Sequence, residues 1–265
     1  MKRAKDLVEE IQAYCRANAD PKNAQKYARY FKEGYDAWGL LDKGNPFWNE
    51  KQREWLEKYE GLGLEGFIEA GALLFASGKY EEGALAIRFA AALRDEFDAE
   101  SFERLSSWFA AGIRNWAHAD VLCGEVIGPL MTSGKVPRKA LEAWRASDHR
   151  FQRRAVPVAL IPVLKKERKV APLLAFVRPM MADTERVVHQ GLGWFLREAW
   201  KLEPEPVEKL LFEWKDRAAR LIFQYATEKM TAEGKARFRS RAARPGPRQA
   251  RPPSRPITPR KRRQR

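Results

Sequence analysis

The chain has 265 residues, 45% of them hydrophobic, with 9 Trp, 14 Phe and 7 Tyr. That is enough apolar material to close one or two cores, and it excludes a wholly disordered protein. The formal charge of +15 is unevenly placed. Lys235 to Arg265 holds 13 Lys or Arg and no acid, which leaves residues 1–234 with 37 basic against 35 acidic side chains. Within that nearly neutral body, residues 1–136 carry 18 basic and 22 acidic groups, and residues 137–231 carry 19 and 12. The second half therefore favours a polyanion, either a phosphate backbone or an anionic lipid surface. Two cysteines, Cys15 and Cys123, cannot build a disulfide framework and point to a reducing, cytoplasmic compartment. The opening MKRAKDLVEE is no signal peptide. The longest apolar run, Ala155 to Leu164, contains two prolines and is about half of the roughly 20 residues a membrane helix needs. We expect a soluble protein with no membrane segment.

Apolar residues recur at three and four along nearly the whole chain and nowhere alternate with a period of two, which predicts an all-α fold. Breaks fall at Asp20-Pro21, Gly34, Asn45-Pro46, Gly61 to Gly66, Gly78, Asp98, Ser133-Gly134, Ser147-Asp148, Asp183-Thr184 and Glu203-Pro204. These are cap, turn and first-turn proline signals between short antiparallel helices. The segments LEAWRASDHRFQRRAVPVALIPVL from Leu141 and FVRPMMADTERVVHQGLGWFLREAW from Phe176 superpose at an offset of about 36 residues, the size of a HEAT-like helical pair. The expected architecture is an α-solenoid of about six such pairs over residues 1–232, followed by a disordered Arg/Pro-rich tail over residues 233–265. The tail has almost nothing to bury and reads as a polyanion-binding arm or as a solubilising segment.

Two motifs mislead. Gly61-Leu62-Gly63-Leu64-Glu65-Gly66 matches the dinucleotide fingerprint letter for letter, but the charged segment before it reads as a helix and not a strand, so the glycines form a helix-to-helix turn. His118, His149 and His189 are scattered without a second ligand at metal spacing. They read as surface or capping residues, with no metal and no cofactor expected.

Three stretches bring chemistry-bearing groups onto helix faces. Trp116 and Asp120 lie four residues apart, Trp194 lies three before Arg197, and Arg150, Arg153 and Arg154 share contact spacing. Taken singly, each tryptophan also reads as core and each arginine as part of a surface ion pair. Together and in order, NWAHADVLCGEVIG, AWRASDHRFQRRAV, GLGWFLREAWK and RLIFQYATEKM resemble the DNA alkylation repair family of HEAT-like repeat DNA glycosylases, the AlkD type, across most of residues 20–230.

That resemblance implies a solenoid with a concave basic groove for double-stranded DNA and hydrolytic release of N3- or N7-alkylated purines by a monofunctional glycosylase; a monomer is expected. It implies catalytic roles for Asp120, Trp116 and Trp194. It also implies DNA contacts from Arg154 and Arg197, with Arg150, Arg153, Lys165 and Lys166 added as backbone contacts. The family helix often reads WDxxD, whereas this chain has Ala117 where the first Asp would be. The alternative within the same superfamily is a DNA-binding scaffold without base excision. The enzymatic reading requires an Asp120 carboxylate open to the sugar of bound DNA. A carboxylate locked in an interior ion pair would leave only the scaffold.

Overall fold

The computed structural model describes residues 3–28, 36–42 and 44–239. Among these the fold is all-α, with fourteen α-helical segments and one isolated backbone bridge, Asp36 to Lys79. The helices are α1 (Ala4–Ala17), α2 (Pro21–Ala28), α3 (Glu50–Lys58), α4 (Gly63–Ala76), α5 (Tyr80–Ala92), α6 (Ala99–Ala111) and α7 (Trp116–Leu122). They continue with α8 (Gly128–Thr132), α9 (Arg150–Glu167), α10 (Val170–Val177), α11 (Arg186–Leu202), α12 (Pro204–Trp214), α13 (Arg220–Ala226) and α14 (Ala232–Arg237). The 3₁₀ turn Glu60–Leu62 joins α3 to α4 and Gly63 to Gly66 form the first turn of α4, with a helix and not a strand before them, as the charged segment ahead predicts.

Packing follows chain order, as expected for a stack of helical pairs. Helix α4 packs on α1, α5 and α6, and then α5 on α7, α7 on α9, α9 on α11 and α11 on α13. Helices α8, α10 and α12 cover the flank of this row. The internal echo is structural: α9 starts at Arg150 and α11 at Arg186, each after a 3₁₀ turn (Ala143–Ala146 and Arg178–Ala182). Its small residues Ala155 and Gly191 are both buried. The row buries its apolar stripes against large aromatics, including Phe75 against Trp108 at 5.2 Å and Phe102 stacked on Trp144 at 5.3 Å. Helix α9 tolerates the interior prolines Pro157 and Pro162 because neighbours bury it on nearly every side, and tertiary packing outweighs the lost backbone bonds.

The amino-terminal segment is clasped to α5 by two buried glutamates. Glu81 accepts the backbone N–H groups of Trp38, Gly39 and Leu40 at 2.9, 2.8 and 2.9 Å. Glu82 accepts Trp38 Nε1–H at 2.8 Å and Gln12 Nε2–H at 3.0 Å. Both carboxylates are fully buried in the first turn of α5, where the exposed N–H groups and the helix dipole favour negative charge. Gly39 has φ +91°, and a Cβ there would stand 2.0 Å from the Asp20 carbonyl, so no larger residue fits this loop.

The folded body runs past its expected end at residue 232. Helix α14 continues to Arg237, and Phe238 is fully buried with its ring 4.6 Å from that of Phe212. The remainder of the expected arm, from residue 240, lies outside the described residues.

Candidate nucleic-acid site

Helix α7 is fixed by its inner face. Its N-cap Asn115 accepts the His118 backbone N–H at 2.8 Å and donates from Nδ2 to His118 Nδ1 at 3.0 Å. The other ring nitrogen, Nε2, donates to the Tyr80 carbonyl at 2.9 Å, and the imidazole stacks on the Tyr80 ring at 4.7 Å. His118 is therefore a buried strut between α7 and α5, not the surface residue its sequence context suggests. His189 is also buried, with Nε2 2.6 Å from the Asp183 carbonyl, while His149 occupies the exposed N-cap position of α9.

Burial pushes the His118 imidazole down from its usual range to about 4. The unfolded chain, with an ordinary histidine near 6.5, binds that proton more tightly, so the contribution to stability is complete above about pH 6.5 and declines as pH falls towards 4. A loss on the order of 3 kcal/mol is expected across that window, because each tenfold difference in proton affinity between the two states is worth roughly 1.4 kcal/mol. Urea unfolding at pH 7 and pH 4.5 checks it: His118→Gln should lose less stability on acidification than the wild type, and an equal loss would remove His118 from the linkage.

With its inner face locked, α7 presents Trp116, 46% exposed, one turn before Asp120. Directly after Asp120 the helix widens into a π-turn over Cys123–Ile127, closed by Gly128 N–H to the Cys123 carbonyl. Pro129 has no N–H for the Glu125 carbonyl, and Arg94 Nη1–H fills that role at 3.1 Å. Single π-turns of this kind recur at functional sites, and nothing in the sequence pattern anticipates this one.

Asp120 is not a free carboxylate. Arg154 on α9 grips it through Nε–H to Oδ1 and Nη2–H to Oδ2, both at 2.8 Å, and donates Nη1–H to the Val187 carbonyl of α11 at 2.7 Å. Arg154 thus joins three consecutive helices of the row. Gly191 makes room for it, since a Cβ there would stand 3.1 Å from Arg154 Cγ. The side chains are 15% exposed for Asp120 and 7% for Arg154. The pair therefore lies at a rim, with the carboxylate the more accessible partner, and the fork leaves each oxygen a further acceptor direction.

Most of the other expected DNA contacts have internal partners in the free protein. Arg153 donates to Asp183 at 2.7 Å and to the Ser147 carbonyl at 2.6 Å. With Arg154 it is a structural clamp and offers no open fork to a phosphate. Arg150 lies 3.8 Å from Glu185, and Arg197 is held by Glu198 at 3.1 Å and by Glu228. Lys165 and Lys166 stand in the last turn of α9, about 17 Å from Arg154 at 1.5 Å rise per residue. There they suit the negative helix end, and Lys166 donates to the Thr132 carbonyl. The structure does not bring them to Asp120. Trp194 is half-buried against the core on a partly exposed stripe of α11 that also carries Gln190 and Arg197. Gln190 donates to the Tyr225 hydroxyl on α13 at 2.9 Å.

Among the described residues no group of three or more His, Cys, Asp or Glu is placed to hold a metal, and no helix is long and apolar enough to cross a membrane. No curated protein matches the chain. The fold is similar to that of a solved structure described as a "Predicted DNA alkylation repair enzyme from Enterococcus faecalis", with a TM-score of 0.61 at 15% identity over 81% of this chain and 98% of that one. The family model for the DNA alkylation repair enzyme matches residues 11–230. The chain belongs to that family, and a role in DNA repair follows from it.

Proposed function

We propose that the protein is a DNA glycosylase that hydrolyses the N-glycosidic bond of N3- or N7-alkylated purines in duplex DNA, with Asp120 as the group that stabilises the reacting sugar. The observation that carries this reading is an exposed indole, Trp116, one turn from a carboxylate that a bidentate guanidinium holds in place. An N3- or N7-alkylated purine is cationic, so the base leaves neutral without a general acid. Positive charge then builds on the sugar, and an anion fixed beside it lowers the barrier by binding the transition state more tightly than the ground state. Trp116, and Trp194 on the partly exposed stripe of α11, would offer π-faces to a cationic nucleotide, worth about 0.5 to 2 kcal/mol each.

Arg154 fixes the geometry and also costs the site part of its field. Its own charge lies a few ångströms behind the carboxylate, and by Coulomb's law cancels roughly half of the attraction felt by a cation in front. This pairing favours a second reading, a DNA-binding scaffold without base excision. The two readings diverge in a single assay. Duplex DNA methylated at random is incubated with the protein and liberated bases are identified by mass. Release of 3-methyladenine or 7-methylguanine supports the glycosylase, whereas tight binding with no freed base supports the scaffold.

For the arm, deletion of residues 240–265 is expected to weaken binding to DNA and flatten its salt dependence, since each neutralised phosphate contributes about −0.9 to the log–log slope. The preference among lesions should stay the same. An identical slope after truncation would make the arm a solubility device.

A further inference from the structure

The arginines around the site fall into two groups according to the carboxylates that hold them. Arg153 and Arg154 are themselves well buried, at 16% and 7% exposure: the partner of Arg153, Asp183, is 8% exposed and also accepts the Glu185 backbone N–H at 2.8 Å, and Arg154 is forked onto both oxygens of Asp120. These pairs cannot open without leaving a buried charge uncompensated, which costs about 3–5 kcal/mol. Arg197 differs. One of its partners, Glu198, is 14% exposed and anchored by Lys201 at 2.9 Å, but the other, Glu228, is 45% exposed beyond the end of α13 and also pairs with Lys229 at 3.1 Å. On α9, Arg150 lies 3.8 Å from Glu185, and the two side chains are 39% and 40% exposed.

With Glu228 45% exposed and Glu198 still in place beside Arg197, exchange of Glu228 for another anion leaves no buried charge uncompensated. A phosphate diester presents the same arrangement of anionic oxygens to a guanidinium as a carboxylate does. Arg197 lies one turn from Trp194 on the accessible stripe of α11, where a duplex resting on Trp116 and Trp194 would pass.

We propose that Glu228, and Glu185 in the same manner, are phosphate stand-ins: exposed carboxylates that occupy Arg197 and Arg150 in the free protein and yield them to backbone phosphates when duplex DNA arrives. They set how weakly the protein holds undamaged DNA, because each phosphate contact must first displace an internal anion. This inference rests on the DNA-binding part of the proposed function and is independent of base release. It also assigns the phosphate contacts to Arg197 and Arg150 and not to Arg153 or Arg154.

Titration of an undamaged duplex across a salt series tests it, with the full chain as wild type, Glu228→Gln and, as a control of equal charge change, Glu103→Gln on the exposed face of α6. The expected result is about five-fold tighter binding for Glu228→Gln near 0.1 M salt and a slope steeper by about 0.9, against less than two-fold for Glu103→Gln. In an Arg197→Ala background the gain from Glu228→Gln should shrink. Equal effects of Glu228→Gln and Glu103→Gln on a wild type that binds duplex would overturn the stand-in role alone. If neither wild type nor Glu228→Gln binds duplex at low salt, the DNA reading fails with it.

Discussion

Asp120→Asn is expected to lower release of alkylated purines by at least about 100-fold, the usual effect of deleting a preorganised electrostatic group, while affinity for duplex DNA stays within a few-fold. Asn keeps the shape and one acceptor for the Arg154 fork but removes the anion proposed to face the sugar. It also leaves the guanidinium of Arg154, 7% exposed, without its counter-charge, so thermal unfolding must accompany the assay. A second variant separates chemistry from folding. Trp116 is among the few large apolar side chains that remain exposed, and Trp116→Ala should leave stability within about 0.5 kcal/mol while reducing kcat/KM by roughly 2- to 30-fold. A stable Asp120→Asn protein with wild-type release would take Asp120 out of the mechanism.

The largest effect on stability is expected at Glu81→Ala. Three backbone N–H groups, of Trp38, Gly39 and Leu40, lose their acceptor at once, and each unsatisfied buried donor costs about 1–3 kcal/mol. A loss of about 4 kcal/mol is expected in urea unfolding, or else a detached amino-terminal segment with faster amide exchange in residues 36–42. Glu81→Gln, whose one carbonyl oxygen can still accept two of the three, should fall between Glu81→Ala and the wild type. If Glu81→Ala unfolds at the wild-type urea concentration, the clasp contributes nothing.

Much of the fold is legible in the sequence because helical periodicity is local. The three-and-four spacing, the breaks at Asp98, Asp183 and Glu203, and the 36-residue echo translate directly into α6, α9, α11 and α12. The π-turn after Asp120 is illegible because CGEVIG does not differ in spacing from an ordinary helix, and only the pairing of Gly128 with Cys123 reveals it. The exposure of Trp116 is likewise a tertiary fact, since Trp55, Trp108 and Trp144 are core and the other five tryptophans are partly buried against it.

The charged groups are the least legible. Arg150, Arg153, Arg154 and Arg197 read as a basic surface, yet each finds a carboxylate about 30 residues away in a neighbouring element: Glu185, Asp183, Asp120 and Glu228. A net charge counted along the chain cannot show that stacking will pair these groups one by one. The buried Glu81 and Glu82 are hidden for the same reason, as their partners lie more than 40 residues earlier for Trp38 and about 70 for Gln12.

In the proposed function, a carboxylate clamped by Arg154 on α7 still serves a developing sugar cation. The most direct measurement is mass analysis of bases freed from N-methylated duplex DNA by the wild-type protein in excess. Free 3-methyladenine or 7-methylguanine is expected, and its loss in Asp120→Asn. Bound, methylated duplex with no base released would contradict it.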